Sequence, residues 1–241
     1  FPHGDGVIAA SNIGLVQCLD KIPTWEINVT SGIDNFVFSG VFGYFSDSNG
    51  EVVVIDSEGN QIYSQFHEDV NRLAASKDGD LFAASKDGDL FAIAKTDGTL
   101  IISTPSNELL QNSSADESDI ETISQICFRQ DGVLLACRDS LGFTLEDGPE
   151  NRLECWHSVQ GLLHMSELPA IPKSILPTKT GAIVGCNNGS LLRFTIGEEV
   201  EELAILEHPI SSIIQWGEDV IVGTWFNSMR ISSKGEVIWS H

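Results

Sequence analysis

The chain has 241 residues, of which 41% are hydrophobic, and its 35 acidic against 13 basic residues give a net charge of −22. A surface this acidic repels phosphate backbones and anionic lipid, which argues against direct nucleic-acid binding. No apolar run approaches the roughly 18 to 20 residues of a membrane helix, so membrane insertion is not expected. The charge has two interpretations: solubility, for example in a salty environment, or an acidic face for a basic protein partner.

The chain opens with three predicted strands, at residues 7–11, 15–20 and 24–29, which are separated by turns containing Asn, Gly and Pro. They form a group (1–33) that lacks the first of four strands. We expect this group either to stay incomplete or to be closed by a strand from the other end of the chain, which would remove an exposed sheet edge. A complete group of four strands follows within residues 34–67.

The third group (68–105) contains an exact internal repeat. Residues 74–82 and 83–91 both read AASKDGDLF, and residues 92–100 are a looser copy. Asp-Gly between apolar runs is the strongest short-range hairpin signal. The pattern therefore predicts four antiparallel strands, at 70–76, 81–85, 90–95 and 100–104.

Residues 106–121 lack strand character and are rich in acids, which predicts a loop or a short helix. Three further groups follow at 121–160, 163–208 and 209–241, and the first of them is predicted to contain strands at 122–128, 133–138, 141–146 and 152–158. Six groups of roughly 40 residues have the spacing of propeller blades. We therefore predict an all-β fold: a six-bladed β-propeller of four-stranded antiparallel blades, forming a single domain over 1–241.

Three segments carry a family resemblance: VIAASNIGLVQCLDKIPTWEI (7–27), AIVGCNNGSLLRF (182–194) and VIVGTWFNSMRISSKGEVIWSH (220–241). A small-residue strand, a Gly turn, an apolar strand and a Gly-to-Trp outer strand recur in them. This pattern resembles the repeats of the PQQ-like and WD40-like β-propeller superfamily. The resemblance implies blades without a particular chemistry, because the ligand-binding residues of enzymatic propellers have no recognisable counterpart.

In such a propeller, the turns between second and third strands share one face with the connections from each fourth strand to the next blade. Families of this shape commonly bind partners there. Trp225 and Phe226 beside Asn227 are the best anchor on this face, since aromatic residues dominate interface hot spots. Turn residues are also chosen for backbone geometry alone, so each candidate has a purely structural alternative. The candidate binding residues are Asn49, Arg138, Asn187, Trp225, Phe226 and Asn227.

The sequence contains no nucleophile elbow, P-loop, HExxH motif or zinc-type Cys/His spacing, so we expect no catalytic residue, metal or cofactor. We favour a non-enzymatic, monomeric propeller that serves as a protein–protein interaction platform. The alternative is a propeller enzyme or a small-ligand or metal-binding protein with its site at the central channel. First-strand residues near that channel would be Arg72, Gln125, Arg129, Lys173 and Gln215.

The five cysteines are scattered, mostly in apolar runs, which predicts buried thiols and favours a reducing compartment such as the cytoplasm. Because the first residue is Phe1, we expect a trimmed or processed chain. The compartment, the identity of the partner and the presence of further domains therefore stay open.

Overall fold

The computed structural model is all-β over the residues that it describes, which are 2–3, 6–11, 14–19, 22–28, 33–39, 42–47, 51–56, 58–66, 81–84, 90–95, 97–104, 108–113, 120–141 and 151–241. They form six four-stranded sheets. No apolar helix of membrane-spanning length occurs among them. The chain divides into two compact units, Phe1–Ser113 and Ser114–His241.

The first unit contains sheets 1 to 3. Their strands are β1 (Pro2–His3), β2 (Gly6–Ser11), β3 (Gly14–Leu19) and β4 (Ile22–Asn28) in sheet 1; β5 (Ile33–Ser39), β6 (Phe42–Asp47), β7 (Glu51–Asp56) and β8 (Gln61–Phe66) in sheet 2; and β9 (Leu81–Ala84), β10 (Phe91–Ala94), β11 (Leu100–Ser103) and β12 (Leu109–Ser113) in sheet 3.

The second unit contains sheets 4 to 6. Their strands are β13 (Ile120–Phe128), β14 (Leu134–Leu141), β15 (Asn151–His157) and β16 (Gly161–Leu168) in sheet 4; β17 (Pro172–Pro177), β18 (Gly181–Cys186), β19 (Ser190–Thr195) and β20 (Glu201–Ile205) in sheet 5; and β21 (Ile210–Trp216), β22 (Asp219–Thr224), β23 (Ser228–Ile231) and β24 (Val237–Ser240) in sheet 6. Strands consecutive in the chain are neighbours in every sheet of both units, as in an antiparallel meander.

A β-bulge recurs between the third and fourth strands of all six sheets. A bulge adds a residue to one strand and increases the local twist, so its shared position indicates that the sheets are copies of one structural repeat. The register shifts directly after Gln17, Val54, Ile102, Cys155, Leu191 and Arg230.

Several hairpin turns in the described part of the chain lie at the predicted Asp-Gly and Asn-Gly pairs. Gly98 and Gly132 follow aspartates in two of these turns and have φ values of 81°, a region that side chains other than glycine rarely occupy. The turn after β7 is held by the Asp56 carboxylate, whose Oδ1 accepts hydrogen bonds from the backbone N–H groups of Glu58 and Asn60 at 2.9 and 2.8 Å. Hydrogen bonds lower the pKa of Asp56 below its ordinary value of 3.8, and the bond donated by the Asn60 side chain has the largest effect.

Two strand assignments made from the sequence were wrong. In sheet 3, the first three strands lie where the second to fourth were predicted, and the fourth is β12, inside the acidic segment that was expected to lack strands. In sheet 4, the predicted fourth strand at 152–158 is the third, and β16 follows it as the edge strand. The predicted strand at 70–76 lies outside the described residues.

The first sheet also differs from its prediction, because β1 pairs with β2 and occupies the place of the strand that was expected to be missing. Sheet 1 packs on sheet 2 through Trp25 and Ile27, which contact a core of Phe45, Val53 and Ile55.

In the second unit, two cores hold three sheets together. Leu135, Cys137 and Leu153 of sheet 4 pack against Val184 and Phe194 of sheet 5. A second core joins sheet 5 to sheet 6, with Leu191, Ile210 and Val222 fully buried. The first strands β13, β17 and β21 are neighbours in turn, so the sheets stack in chain order within this unit.

Candidate functional site

The turn between β22 and β23 presents two large aromatic side chains to solvent. Trp225 is 75% exposed and Phe226 is 70% exposed. The Thr224 side chain fixes the turn, because its Oγ1 accepts hydrogen bonds from the N–H groups of Phe226 and Asn227 at 3.3 and 3.1 Å. The Thr224 N–H closes the turn by donating to the Asn227 carbonyl oxygen at 2.8 Å. Two solvated aromatic rings are therefore held on an ordered backbone.

His208, in the connection from β20 to β21, extends this surface. Its ring centroid lies 4.7 Å from that of Phe226, with the two ring planes tilted by 57°. We call Trp225, Phe226 and His208 the aromatic patch. Sequence reasoning named the first two and missed His208 as their neighbour, since a contact between two loops far apart in the chain leaves no local signal.

The turn between β18 and β19 lies beside the same connection. The Gly189 N–H donates to the Cys186 carbonyl oxygen at 3.2 Å, and its own carbonyl oxygen accepts from the Leu206 N–H at 2.8 Å. A Cβ atom on Gly189 would stand 2.1 Å from the Leu206 carbonyl oxygen and 3.2 Å from that of His208. In sheets 5 and 6, second-to-third turns and fourth-to-first connections therefore share one face, as predicted.

The predicted binding residues have different surroundings. Asn227 is half-buried in the Trp225 turn, and Asn187 is half-buried in the neighbouring turn, where its N–H donates to the Ile171 carbonyl oxygen at 2.9 Å. Asn49 lies outside the described residues. Arg138 is only 1% exposed and lies within β14, so the prediction that it occupies an exposed turn was wrong.

Arg138 belongs to a buried ionic network in sheet 4. Its Nε donates to Glu154 Oε2 at 2.9 Å, and its NH1 lies 3.5 Å from Glu121 Oε2. Arg152 reaches the same two carboxylates, at 2.5 Å from Glu121 Oε1 and 2.8 Å from Glu154 Oε1. Trp156 Nε1 also donates to Glu154, at 2.9 Å. Two arginines and two glutamates thus balance each other inside the sheet.

This network sets the titration of Glu154. Burial alone would raise the pKa of Glu154, but the Arg138 charge and the hydrogen bonds from Arg152, Arg138 and Trp156 outweigh burial and lower the pKa below its ordinary value of 4.5. Burial alone would lower the pKa of Arg152, but the hydrogen bonds that Arg152 donates to Glu121 and Glu154, together with their negative charges, outweigh burial and raise it. Both shifts favour the charged forms of Glu154 and Arg152, which is the electrostatics of a structural ion network.

Two of the residues predicted near a central channel, Arg129 and Gln215, donate hydrogen bonds to neighbouring groups. Arg129 NH2 donates to Asp131 Oδ2 at 2.8 Å and to the Lys179 carbonyl oxygen at 2.7 Å. Gln215 Nε2 donates to the carbonyl oxygens of Gly217 and Asp219 at 2.7 and 3.1 Å. Gln125 is half-buried, Lys173 is exposed, and Arg72 lies outside the described residues. Within the described part of the chain, no three His, Cys, Asp or Glu side chains converge as a metal centre would require.

A cavity of about 160 Å³ opens between sheets 5 and 6 at the end of the strands away from the aromatic patch. Arg193 lines it and bonds across the two sheets, donating to Glu201 Oε2 at 2.8 Å and to the Ser233 carbonyl oxygen. Gln215 and Glu218 line the other side. The volume suits a few waters and is small for the roughly 300 Å³ or more of a typical ligand pocket.

Four cysteines are free thiols, and three of them lie fully buried in the core between sheets 4 and 5. Burial raises the pKa of Cys127, Cys155 and Cys186 to about 12. Such thiols are inert packing groups, because the reactive form is the thiolate. The prediction of buried thiols is confirmed for Cys137, Cys155 and Cys186, whereas Cys127 is half-buried against the same core.

No protein-family model matches the chain, and no curated protein matches it. The fold does match solved structures. One of them is the crystal structure of BamB from Moraxella catarrhalis, which superimposes with a TM-score of 0.70 and 13% sequence identity over 100% of this chain and 74% of the BamB chain. In total, 1108 chains of known structure match. At this identity the likeness concerns the fold alone, and BamB is a β-propeller. The chain therefore has a β-propeller fold.

Proposed function

We propose that the chain is a single six-bladed β-propeller that acts as a non-enzymatic platform for a protein partner. Six consecutive four-stranded sheets with a common bulge support the blade count, and the likeness to BamB spans the whole chain. The fold alone does not select a function, since propellers serve many. The proposal therefore depends on the surface that this chain presents.

The observation that carries the proposal is the aromatic patch. Trp225 and Phe226 are 75% and 70% exposed on a turn whose backbone is already fixed by Thr224. Exposure of large aromatic side chains to water is unfavourable, and a partner that covers them removes this cost. Because the turn is already ordered, it loses little conformational entropy on binding. Tryptophan is among the residues most enriched in interface hot spots.

Charge favours a basic partner. The chain carries a net charge of −22, and long-range attraction would speed its encounter with a positively charged protein. The exposed Trp225 ring adds a short-range term, because arginine and lysine side chains are attracted to the face of an indole. The proposed partner is therefore a protein that presents arginine or lysine beside an apolar residue.

The test is site-specific crosslinking from the patch in cells of the source organism. A photoreactive phenylalanine analogue replaces Phe226 in one strain and Val159 in a control strain. Val159 is 79% exposed in the turn between β15 and β16, at the other end of the strands. We expect a discrete adduct from position 226 that mass spectrometry assigns to a basic protein, and no equivalent adduct from position 159.

The adduct must also depend on the neighbouring tryptophan. We expect the Trp225→Ala change to abolish capture from position 226 while leaving the far-ultraviolet circular dichroism of the chain unchanged. Capture of the same mixture of proteins from both positions would contradict the proposal, as would a discrete adduct that Trp225→Ala leaves intact.

A further inference from the structure

Sheet 4 brings three oxygen-bearing side chains into one row. Thr122 of β13 is paired with Asp139 of β14, and Asp139 is paired with Asn151 of β15. Directly opposed residues of antiparallel strands have Cβ atoms about 4.5 to 5.5 Å apart and project on the same face. The hydroxyl, carboxylate and amide groups of this row are therefore neighbours.

Strand alternation shows which face carries the row. Asp139 shares its face with Cys137, and Asn151 shares its face with Leu153, and both of those residues belong to the core between sheets 4 and 5. The row lies at the rim of that core. Arg138 and Arg152 are adjacent in the chain but project on the opposite face, where Glu121 and Glu154 neutralise them.

The row has unused acceptors. Asn151 is 6% exposed, and within the described residues its Oδ1 has no hydrogen-bond donor. Among the described residues, the Asp139 carboxylate accepts a hydrogen bond from the Thr122 hydroxyl. The carboxylate can accept further bonds, because its two oxygens together offer about four acceptor sites. Asp139 is half-buried and Thr122 is exposed, so the row opens to solvent at one end. A buried amide oxygen without a donor calls for a partner such as an ion.

We propose that Thr122, Asp139 and Asn151 form a binding site for one hard cation. The donor atoms are all oxygens of the types that calcium, magnesium, sodium and potassium prefer, and no sulfur or imidazole is included. A single carboxylate gives a site of modest affinity, with water completing the coordination. The net charge of −22 concentrates cations around the chain. The site is independent of the aromatic patch.

The test is thermal unfolding of the chelator-treated full chain during titration with CaCl2, MgCl2, NaCl or KCl. Tetramethylammonium chloride holds the ionic strength constant, so that general screening does not change. We expect at least one of these cations to raise Tm saturably. The Asp139→Asn change should raise the half-saturating concentration about tenfold or more, because it removes the only formal charge of the site. The control change Glu167→Gln, at an exposed position of the same sheet, should leave it within about twofold.

A variant with increased affinity keeps the proposal testable even if Asp139→Asn does not fold. Asn151→Asp adds a second carboxylate to the row and should lower the half-saturating concentration of a divalent cation about tenfold. The proposal is overturned by an equal response to all salts and to tetramethylammonium. It is also overturned if Asn151→Asp leaves the response to divalent cations unchanged.

Discussion

Replacing Arg138 with methionine tests the buried ionic network. The side chain of Arg138 is 1% exposed, and those of Glu121 and Glu154 are 7% and 5% exposed. Arg138→Met keeps much of the side-chain volume but leaves two buried carboxylates against the single charge of Arg152. Breaking a buried pair by removing one partner costs about 3 to 5 kcal/mol. A loss of that size is a large part of the stability of a typical domain.

The assay is urea unfolding followed by tryptophan fluorescence and circular dichroism. The matched control is Arg193→Met, because Arg193 is 35% exposed and pairs with Glu201, which is 60% exposed. An exposed pair contributes about 0 to 1 kcal/mol. The double variant Arg138→Met, Glu154→Gln removes one charge of each sign and keeps an acceptor for Trp156. We expect it to be more stable than Arg138→Met alone.

Two results would refute the reasoning about the network. One is a loss of less than about 1 kcal/mol in Arg138→Met, equal to the loss in the Arg193→Met control. The other is a double variant whose loss equals the sum of its single variants, since neighbouring charges in one network are not additive.

Three further predictions concern pH, turn geometry and the thiols. The pKa of Glu154 is lowered from 4.5 in the folded protein, so the stability that Glu154 contributes is present above this value and is lost as the pH falls through the lower folded pKa. When urea unfolding is measured between about pH 6 and pH 3, the free energy of unfolding should therefore fall less on acidification in Glu154→Gln than in the unchanged protein. Gly189 and Gly197 have similar φ values of 88° and 84°. A Cβ atom on Gly189 would lie 2.1 Å from the Leu206 carbonyl oxygen, whereas a Cβ atom on Gly197 would have no other heavy atom within 4 Å among the described residues. Gly197→Ala should therefore cost about 1 kcal/mol of unfolding free energy and Gly189→Ala about 1 to 3 kcal/mol more, and equal costs would contradict the close approach. Ellman's reagent at about pH 8 should leave the three buried thiols, Cys137, Cys155 and Cys186, unmodified until urea is added. Modification of these thiols in the native protein, detected by mass spectrometry, would contradict their burial.

The strands of sheets 5 and 6 were predictable because turn-forming residues mark the turns between them in the local sequence. Asn188-Gly189 and Lys234-Gly235 mark two of these turns, and both glycines have positive φ. In the third repeat, two identical nonamers offer equivalent strands, so the pattern does not show where the sheet begins. The strand Leu109–Ser113 reads as a loop because it is short and partly polar, and only its pairing with β11 makes it a strand.

The site was predictable in part for the same reason. Trp225 and Phe226 stand out because two aromatic residues follow an apolar strand at a turn. Arg138 reads as the start of a turn since it ends an apolar run. Its partners Glu121 and Glu154 are 17 and 16 residues away in the chain, so its burial depends on register across three strands. Such nonlocal pairing is not contained in a local pattern.

The most direct test of the platform is the affinity of the crosslinked partner, once purified, for variants of the full chain. Isothermal titration calorimetry would compare Trp225→Ala with the surface variant Val159→Ala, because the two side chains are similarly exposed, Trp225 at 75% and Val159 at 79%. A hot-spot residue contributes about 2 kcal/mol or more, so Trp225→Ala should weaken binding roughly 30-fold or more. Val159→Ala should leave the affinity within about twofold. Equal affinities for both variants would contradict the account.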